Sequence, residues 1–560
     1  MTSGGAGSRA GAPVEVIGVV GAGTMGAGIA QLACQAGART LLHDPIPEGL
    51  ERGERTLREG LQREASRGRL TDEEAVSAAD RLEIVPELEG LADCGLVIEA
   101  APERIELKRE LYARLSQIVS AECVLATNTS SLPVTEVAAG AEHPERVVGM
   151  HFFNPPTRMR LLEIIAGMRS GEEALALATA AGEAMGKQVI RATDGPGFLV
   201  NRCNRPFGLE ALRLLQEGVA EVPQIDRIVR LSGGYPMGPF ELSDLVGVDT
   251  GFDVAQSFYR LSFGEPRWRP SPIQARYVAA GLHGRKSGRG YYDYSDGRHR
   301  PEDAPPPQTA KAEIGSGMLV ISGDGVLAEE LREAARAAGY RAYADQDRSP
   351  DELPALIVEC ESSSEMPPES GGPRLVLLSR GSLATLDPGG SSVGFHVLPP
   401  FSEAALVELT RGEDSSPTVV ARAEHLFSVL GKHVEWVGDA PGLVLGRIAC
   451  QLVNEAAFAL GESVGSAKDI DTGMVLGLNH PRGPLEWADR IGLDHVLAVL
   501  EALCREYREE RYRPAPRLRQ LVLSGNLGLR TGRGFFDYEP GPGQLVSISG
   551  SGPEHPPRTA

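Results

Sequence analysis

The chain of 560 residues is long enough for several domains, since domains usually span roughly 100–200 residues. Its 42% hydrophobic and 24% charged residues are typical of a globular protein, and its net charge of −20 argues against nucleic acid or an anionic membrane as a partner. The seven cysteines lie far apart without a Cys-x-x-Cys pair, which favours free thiols in the cytoplasm over disulfides or a metal site. We expect no membrane helix, since no apolar run approaches roughly 18 residues.

The first regular elements form the pattern of a dinucleotide-binding unit. A buried strand over 14–20 leads into Gly21-Ala-Gly23-Thr24-Met25-Gly26, a helix follows over 27–37, and a second strand covers 39–42. In this setting the first glycine permits a tight turn, the second lets the backbone approach a pyrophosphate, and the third packs the helix on the strand. The start of the helix, with Thr24 and Met25, is therefore predicted to receive the phosphates.

Asp44 follows the second strand, where the adenosine ribose of a dinucleotide lies in this unit. Its carboxylate is expected to accept hydrogen bonds from the ribose hydroxyls and to repel a 2′-phosphate. The sequence therefore favours NAD over NADP as the cofactor.

The following segments continue a doubly wound sheet. Strands are predicted over 82–85, 96–99 and 124–127, with a helix over 103–119. Polar residues follow the strand ends, where such sheets bind ligands; they include Glu103, Ser130 and His151. An arginine-rich helical pair over 47–80 is interpreted as a solvated charged face, with contact to the phosphates of a large anionic substrate as the alternative.

His151 and Glu163 form the candidate proton-transfer pair. His151 lies in a predicted strand over 147–153 and Glu163 in another over 161–165, and Asn154-Pro155-Pro156 forms a turn between them. A carboxylate that bonds one imidazole nitrogen fixes the tautomer and leaves the other nitrogen to exchange a proton with substrate. Taken alone, the pair fits a satisfied core histidine beside an unrelated edge carboxylate better than a catalytic pair, since buried polar groups are usually just satisfied.

The chain becomes helical after Asp194-Gly-Pro-Gly197, with helices predicted over 198–217 and 222–231. Asn201 lies in the first turns of the first helix, from which its side chain is expected to reach the sheet edge. This region closes at about residue 295, after a glycine-rich loop that contains Lys286.

Several motifs resemble the 3-hydroxyacyl-CoA dehydrogenase family, in the form of the bacterial 3-hydroxybutyryl-CoA and 3-hydroxyadipyl-CoA dehydrogenases. They occur in the family's order over the first 295 residues. These motifs are Gly21-Ala-Gly-Thr-Met-Gly-Ala-Gly-Ile-Ala30, Thr127-Asn-Thr-Ser-Ser131, His151-Phe-Phe-Asn-Pro155, Asp194-Gly-Pro-Gly-Phe-Leu-Val-Asn-Arg202 and Gly234-Tyr-Pro-Met-Gly-Pro-Phe-Glu241.

The resemblance implies an NAD-dependent, reversible oxidation of a (3S)-3-hydroxyacyl-CoA to the 3-ketoacyl-CoA, in fatty-acid or aromatic-acid breakdown. His151 would be the general base and Glu163 its orienting carboxylate, while Ser130 and Asn201 would bind the substrate oxygen. Ser130 is also implied as a cofactor contact. Further cofactor contacts implied by the resemblance are Glu103, Lys108, Asn154 and Lys286. The alternatives are a dehydrogenase of a free hydroxyacid and a non-catalytic protein that binds CoA or NAD.

The second half of the chain repeats the first at an offset of 245 residues. Asp439-Ala-Pro-Gly442 repeats Asp194-Gly-Pro-Gly197, and the same offset relates His151 to His396 and Glu163 to Glu408. The cofactor loop is altered, because Asp324 stands in the glycine turn, and Gly446 replaces Asn201. The second copy is therefore predicted to bind no cofactor.

The predicted fold is an α/β Rossmann domain plus an all-α domain, duplicated, with the second Rossmann-like domain reduced. Beyond a disordered lead over 1–13, we expect a Rossmann domain over 14–194, a helical domain over 195–295, a linker over 296–313, a reduced Rossmann-like domain over 314–438, a second helical domain over 439–539 and a disordered tail over 540–560. The partner is predicted to be an acyl-CoA, and the helical domains are expected to form either a homodimer or a pseudo-dimer within one chain.

Overall fold

The computed structural model describes residues 14–307, 317–347, 353–361 and 372–539. The predicted lead over 1–13 and tail over 540–560 lie outside these ranges, as does part of the predicted linker. Residues 296–307 of that linker contain neither helix nor strand. None of the described helices is both long enough and apolar enough to cross a membrane.

The first sheet has eight strands in the order β3-β2-β1-β4-β5-β6-β7-β8. Neighbouring strands are parallel, except that β6 and β7 are antiparallel. The sheet therefore contains both the doubly wound half and the strand-turn-strand unit that the sequence predicts. The strands are β1 Val16–Val20, β2 Arg39–His43, β3 Leu82–Ile84, β4 Leu96–Glu99, β5 Val124–Thr127, β6 Val147–Phe152, β7 Leu161–Ala166 and β8 Gln188–Thr193.

Helices cover both faces of this sheet and enclose two buried apolar clusters. The arginine-rich helix α2 buries Leu50, Leu57 and Leu61. Arg58 and Arg63 on its surface form exposed ion pairs within the helix, as expected of a solvated charged face. The helices are α1 Thr24–Gln35, α2 Pro47–Ser66, α3 Asp72–Ala79, α4 Ile105–Ile118, α5 Val134–Ala138 and α6 Glu172–Ala184.

The prediction of one helix over 198–217 is wrong, because the structure has two helices that meet at Asn204. Pro206 in the second helix has no amide hydrogen to donate to the preceding turn, which favours the break. The helices of this region are α7 Val200–Cys203, α8 Arg205–Gln216, α9 Val222–Gly233, α10 Pro239–Val246, α11 Val248–Leu261 and α12 Pro272–Ala279.

The second sheet has seven strands in the order β10-β9-β11-β12-β13-β14-β15. This order matches that of the first sheet, but no strand among the described residues corresponds to β3, so the domain is reduced as predicted. The strands are β9 Met318–Ser322, β10 Arg341–Tyr343, β11 Leu356–Glu359, β12 Arg374–Leu377, β13 Val393–His396, β14 Leu406–Arg411 and β15 His433–Trp436.

The second half contains the helices α13 Val326–Ala337, α14 Leu383–Leu386, α15 Pro417–Val429, α16 Leu445–Gly461, α17 Ala467–Leu478, α18 Pro484–Ile491, α19 Leu493–Tyr507 and α20 Pro516–Leu523. Individual contacts repeat as well. The ammonium of Lys187 donates to the carbonyl of Met159 at 2.7 Å, and Lys432, 245 residues later, donates to the carbonyl of Ala404 at the equivalent position. The duplication therefore extends to side-chain contacts.

The chain forms two compact units, and neither is a continuous stretch of sequence. One unit contains residues 14–204, 253–265 and 462–480, and the other contains the remaining described residues. Segment 462–480 of the second copy thus folds with the first sheet, while most of the first helical region folds with the second sheet.

Candidate active site

The three glycines of the loop after β1 occur there for different structural reasons. Gly21 has a φ of +98°, and a Cβ there would lie 2.7 Å from the carbonyl oxygen of Ala100. A Cβ on Gly26 would lie 1.7 Å from the carbonyl oxygen of Gly21, whereas one on Gly23 would meet no atom within 4 Å. The protein itself therefore requires the first and third glycines. The second leaves the backbone open on the side where a dinucleotide would approach.

Asp44 is held by two backbone donors, and one of them belongs to the glycine loop. Its Oδ2 accepts a hydrogen bond from the amide of Ala22 at 2.8 Å, and its Oδ1 accepts one from the amide of Ile46 at 2.9 Å. The carboxylate borders a cleft of about 640 Å³ that Gly23, Thr24 and Met25 also line. A carboxylate at one edge of an open cleft beside the glycine loop fits the adenosine half of NAD.

Glu103 organises the loop after β5. Its Oε1 accepts from the backbone amides of Ser130 and Ser131, both at 3.0 Å, and from the hydroxyl of Thr129 at 2.5 Å. Burial opposes its ionisation, but the ammonium of Lys108 and these hydrogen bonds lower the pKa of Glu103 below its usual value. Glu103 thus carries a negative charge that holds Ser130 in place.

Lys108 is almost completely buried between two carboxylates. Its ammonium lies 2.7 Å from Oε1 of Glu99 and 3.3 Å from Oε2 of Glu103. Glu99, which the sequence places at the end of a predicted strand without assigning it a role, also accepts from the hydroxyl of Thr127 at 2.8 Å. The signal for Glu99 was its position at the end of an apolar strand, nine residues before a lysine. The cofactor contact inferred for Lys108 stays a prediction.

His151 and Glu163 face each other across β6 and β7. The Nδ1 atom of His151 lies 2.6 Å from Oε2 of Glu163, and Glu163 is fully buried. The other oxygen of Glu163 accepts from the amides of Leu199 and Val200 at 3.2 and 3.0 Å. Two backbone amides already donate to Glu163, and this favours the tautomer in which Nδ1 of His151 carries the proton and Nε2 keeps a lone pair.

The surroundings of the His151 ring are apolar. The ring of Phe153 lies 4.6 Å from it and that of Phe198 5.8 Å, centroid to centroid. Asn201 is the residue after Val200, so the contact between Glu163 and the start of α7 also places Asn201. Low polarity around the imidazole strengthens any charge interaction that it makes.

Asn128 joins the serine loop to the strand of the histidine. Its Oδ1 accepts from the amide of Phe152 at 2.8 Å, and Ser130 lies two residues further along. Asn128 was not predicted, although the sequence places it directly after β5. Ser130, His151 and Asn201 therefore lie on three elements that Asn128 and Glu163 connect.

Asn154 and Lys286 were the remaining predicted cofactor contacts. Asn154 lies exposed at the turn after β6. Lys286 belongs to the other compact unit, where its ammonium lies 2.6 Å from Oδ1 of Asp249. Their roles stay predictions.

The described residues around the corresponding loop of the second copy line a much smaller cavity. Asp324 lies in the glycine turn, with its carboxylate 3.6 Å from Arg530, and the backbone carbonyl of Asp324 also accepts from that guanidinium. The nearby cavity, lined by Gly325 and Arg530, measures about 40 Å³, which is far smaller than a nucleotide requires. That the second copy binds no cofactor stays a prediction.

The comparisons with known proteins cover both halves of the chain. A model described as the NAD-binding domain of 3-hydroxyacyl-CoA dehydrogenase matches residues 16–195. The model of the C-terminal domain of the same enzyme matches residues 197–294 and again 442–538. The second match agrees with the duplication inferred from the sequence.

Relatives fall into long and short forms. The 3-hydroxyadipyl-CoA dehydrogenase of Escherichia coli K12 is 35% identical over 510 residues, which are 91% of this chain and 98% of that protein. A probable 3-hydroxybutyryl-CoA dehydrogenase of Bacillus subtilis is 41% identical over 283 residues, which are 50% of this chain and 98% of that protein. The crystal structure of a 3-hydroxybutyryl-CoA dehydrogenase from E. coli K12 superposes with a TM-score of 0.77 and 33% identity, covering 92% of this chain and 100% of that one.

Proposed function

The chain belongs to the 3-hydroxyacyl-CoA dehydrogenase family, and from this premise we propose which of its residues carry the reaction and which acyl-CoA it takes. The family, the use of NAD and the oxidoreductase activity that the motifs predict are confirmed by the family matches and the relatives. Membership in this family favours an acyl-CoA thioester as the substrate over a free hydroxyacid, which was the alternative.

His151 is the general base of the proposed reaction. Its Nε2 takes the proton of the 3-hydroxyl group as C3 becomes a carbonyl, and returns it in the reverse direction. NAD, when bound beside the glycine loop, supplies the acceptor for the hydride that leaves C3. Glu163 keeps Nδ1 protonated, orients the ring and stabilises the imidazolium.

Ser130 and Asn201 are proposed to hydrogen-bond the 3-oxygen of the substrate. Their donors stabilise the negative charge that develops on this oxygen as the proton leaves it. Both residues lie on elements held by buried carboxylates, since Glu103 binds the amide of Ser130 and Glu163 binds that of Val200. Donors fixed in this way need little reorganisation during the reaction.

The observation that carries the proposal is the bond of 2.6 Å between His151 and Glu163. Glu163 has a second oxygen saturated by two backbone amides, so its geometry is set independently of the histidine. This arrangement defines the tautomer that a base at Nε2 requires.

The substrate is proposed to be 3-hydroxyadipyl-CoA or 3-hydroxybutyryl-CoA. The first is supported by a relative, named for that substrate, that aligns with both copies. The second is supported by the name of a solved structure that also covers both copies.

Purified protein mixed with NADH and a panel of 3-ketoacyl-CoAs tests these proposals. We expect NADH consumption with 3-ketoadipyl-CoA or acetoacetyl-CoA, and the ratio of their kcat/KM values identifies the preferred substrate. Free acetoacetate is the matched control, and equal rates with it would contradict a CoA-dependent site. No NADH consumption with any member of the panel would favour a non-catalytic binding protein.

We also propose a pseudo-dimer within one chain, in the cytoplasm. Helix α8 of the first copy packs against its own counterpart α16 in the second copy, as happens when a two-fold axis passes between equivalent helices. The seven cysteines are all free, as expected in a reducing compartment. Light scattering at several protein concentrations distinguishes the monomeric chain from a dimer of chains.

A further inference from the structure

Helix α17 belongs to the second copy but folds with the first sheet, where it packs on β7, β8 and α7. We propose that α17 is a positioning element of the active site in the first copy, and that Gly473 and Gly477 are the positions that set its distance from that site. This inference rests on the proposed roles of His151, Glu163 and Asn201.

The helix lies very close to two side chains of the first copy. A Cβ on Gly473 would lie 2.6 Å from Cγ2 of Val200, and a Cβ on Gly477 would lie 2.7 Å from Cδ2 of Leu161 and 3.2 Å from Cε1 of Phe153. Contacts under 3.0 Å require the neighbouring atoms to move. The present distance between α17 and the site therefore depends on the absence of side chains at both positions.

Val200 and Phe153, which these two positions approach, each contact one member of the proposed proton-transfer pair. Val200 donates its amide to Oε1 of Glu163 at 3.0 Å and precedes Asn201. The ring of Phe153 lies 4.6 Å from that of His151. A helix displaced from its present position would thus shift the partner of the base, the base itself and a proposed substrate contact together.

The ends of the segment are fastened to the same unit. Arg202, in α7, has its Nη2 atom 2.7 Å from Oε2 of Glu462. At the other end, Nε2 of His480 lies 3.0 Å from Oδ1 of Asn204. Since both anchors lie on or next to α7, the segment is held against the element that carries Asn201.

The equivalent helix in the first copy has no glycine at either of these two positions. Helix α9 corresponds to α17 at the offset of 245 residues and packs on β14 of the second sheet. The residues at the positions of Gly473 and Gly477 are Ile228 and Ser232, and both are buried. The close approach therefore occurs on the half of the molecule with the open dinucleotide cleft.

The test uses the full chain with Gly473→Ala and Gly477→Ala as independent variants. Each is expected to lower kcat by roughly 10- to 100-fold, because displacements near 1 Å have such effects in catalytic sites. The dissociation constant of NADH should stay within about twofold of the wild type, since the glycine loop is not touched. Gly461→Ala is the matched control, because a Cβ there would meet only Cβ of Arg517 at 3.8 Å, and its kcat should equal that of the wild type.

A compensating variant separates displacement of the site from general instability. Combining Gly473→Ala with Val200→Ala removes the methyl group that the new Cβ meets, and is expected to recover at least part of the lost kcat. The positioning role is overturned if both glycine variants keep the kcat of the active wild type, or if the double variant recovers thermal stability without kcat. An inactive wild type would overturn the proposed function and the positioning role with it.

Discussion

His396 and Glu408 occupy the same strand positions in the second copy as His151 and Glu163 in the first, yet their side chains do not bond to each other. The strands pair His396 with Glu408, but Nε2 of His396 lies 3.2 Å from Nε2 of His495. Its Nδ1 atom has no hydrogen-bond partner within the described residues. Burial and the neighbouring His495 hold the pKa of His396 well below its usual value, so the two rings form a neutral pair.

The loss of one side chain explains this difference. A Cβ on Gly446, the counterpart of Asn201, would lie 2.3 Å from Cε1 of His396. The histidine ring thus packs against the position that an asparagine side chain leaves empty. The same spacing of residues gives a hydrogen-bonded histidine–glutamate pair in one copy and a packed core histidine in the other.

Replacement of His151 by glutamine is expected to lower turnover by roughly 10²–10⁴-fold, because general base catalysis contributes about this factor. NADH binding should remain nearly intact, since the glycine loop and Asp44 are unchanged. Steady-state rates and fluorescence titration of NADH measure the two quantities. Weak NADH binding with unchanged turnover would contradict the role of His151.

Glu163→Gln and Glu408→Gln form a matched pair of substitutions at equivalent positions. The first removes the charge that stabilises the imidazolium, so we expect turnover to fall by about 10²-fold or more. The second should leave turnover at the wild-type level, because within the described residues Glu408 accepts hydrogen bonds only from the amides of Val444 and Leu445. Equal effects of the two substitutions on kcat would show that these carboxylates act through stability alone.

Part of the site followed directly from sequence. A buried carboxylate in an apolar strand twelve residues after His151 predicts the observed pairing with Glu163, because strand-turn-strand geometry leaves few other arrangements. The ring of His396 was not predictable, since its position depends on space left by Gly446 in a distant helix.

The sequence also does not predict which sheet each helix of the second copy packs against. The repeat predicts a helix at the position of α17, because α9 is its counterpart in the first copy. It does not predict which sheet that helix covers, since an apolar helix face shows that the helix is buried but not against which element. The sequence places Asn128 and Glu99 at strand ends, but it does not predict the contacts by which they join neighbouring strands, because those contacts depend on the strand order.

Asp44→Ser is expected to narrow the preference for NAD over NADP. Removal of the carboxylate ends its repulsion of a 2′-phosphate, and Arg114, which lies 3.5 Å from Glu89 and lines the same cleft, provides a positive charge near that phosphate. The measurement is the ratio of kcat/KM for NADH to that for NADPH. An unchanged ratio would contradict the role of Asp44 in excluding NADP. The double variant Asp44→Ser with Arg114→Ala tests whether Arg114 contributes to binding of the 2′-phosphate.

The stability of the protein should depend on pH through Glu408. Burial raises the pKa of Glu408 from 4.5 to about 8, so between these values the folded state holds a proton that the unfolded state has lost. This stabilisation is complete below the unfolded value and is lost as pH rises toward 8, with a slope of at most about 1.4 kcal/mol per pH unit. The midpoint of unfolding, measured from about pH 5 to 9, should decline less steeply with pH for Glu408→Gln than for the wild type. Parallel curves for the two proteins would contradict the raised pKa of Glu408.

Arg447→Leu is expected to destabilise the unit that contains it by about 3–5 kcal/mol, the usual effect of leaving one member of a buried ion pair unpaired. Arg447 is fully buried, with Nη2 2.5 Å from Oε1 of Glu210 and Nη1 2.7 Å from Oε2 of Glu217. Thermal unfolding measures the loss. Arg519→Leu is the control, because its pair with Glu501 is exposed and should contribute less than about 1 kcal/mol.

The exchange of α17 into the first unit makes assembly of the active site independent of protein concentration. A helix supplied by a separate chain would dissociate on dilution, and the specific activity would fall with it. Here the helix is tethered to the sheet that it covers, and its effective concentration is set by the connecting chain. If α17 positions the site as proposed, the duplicated half keeps that site intact even at low protein concentration.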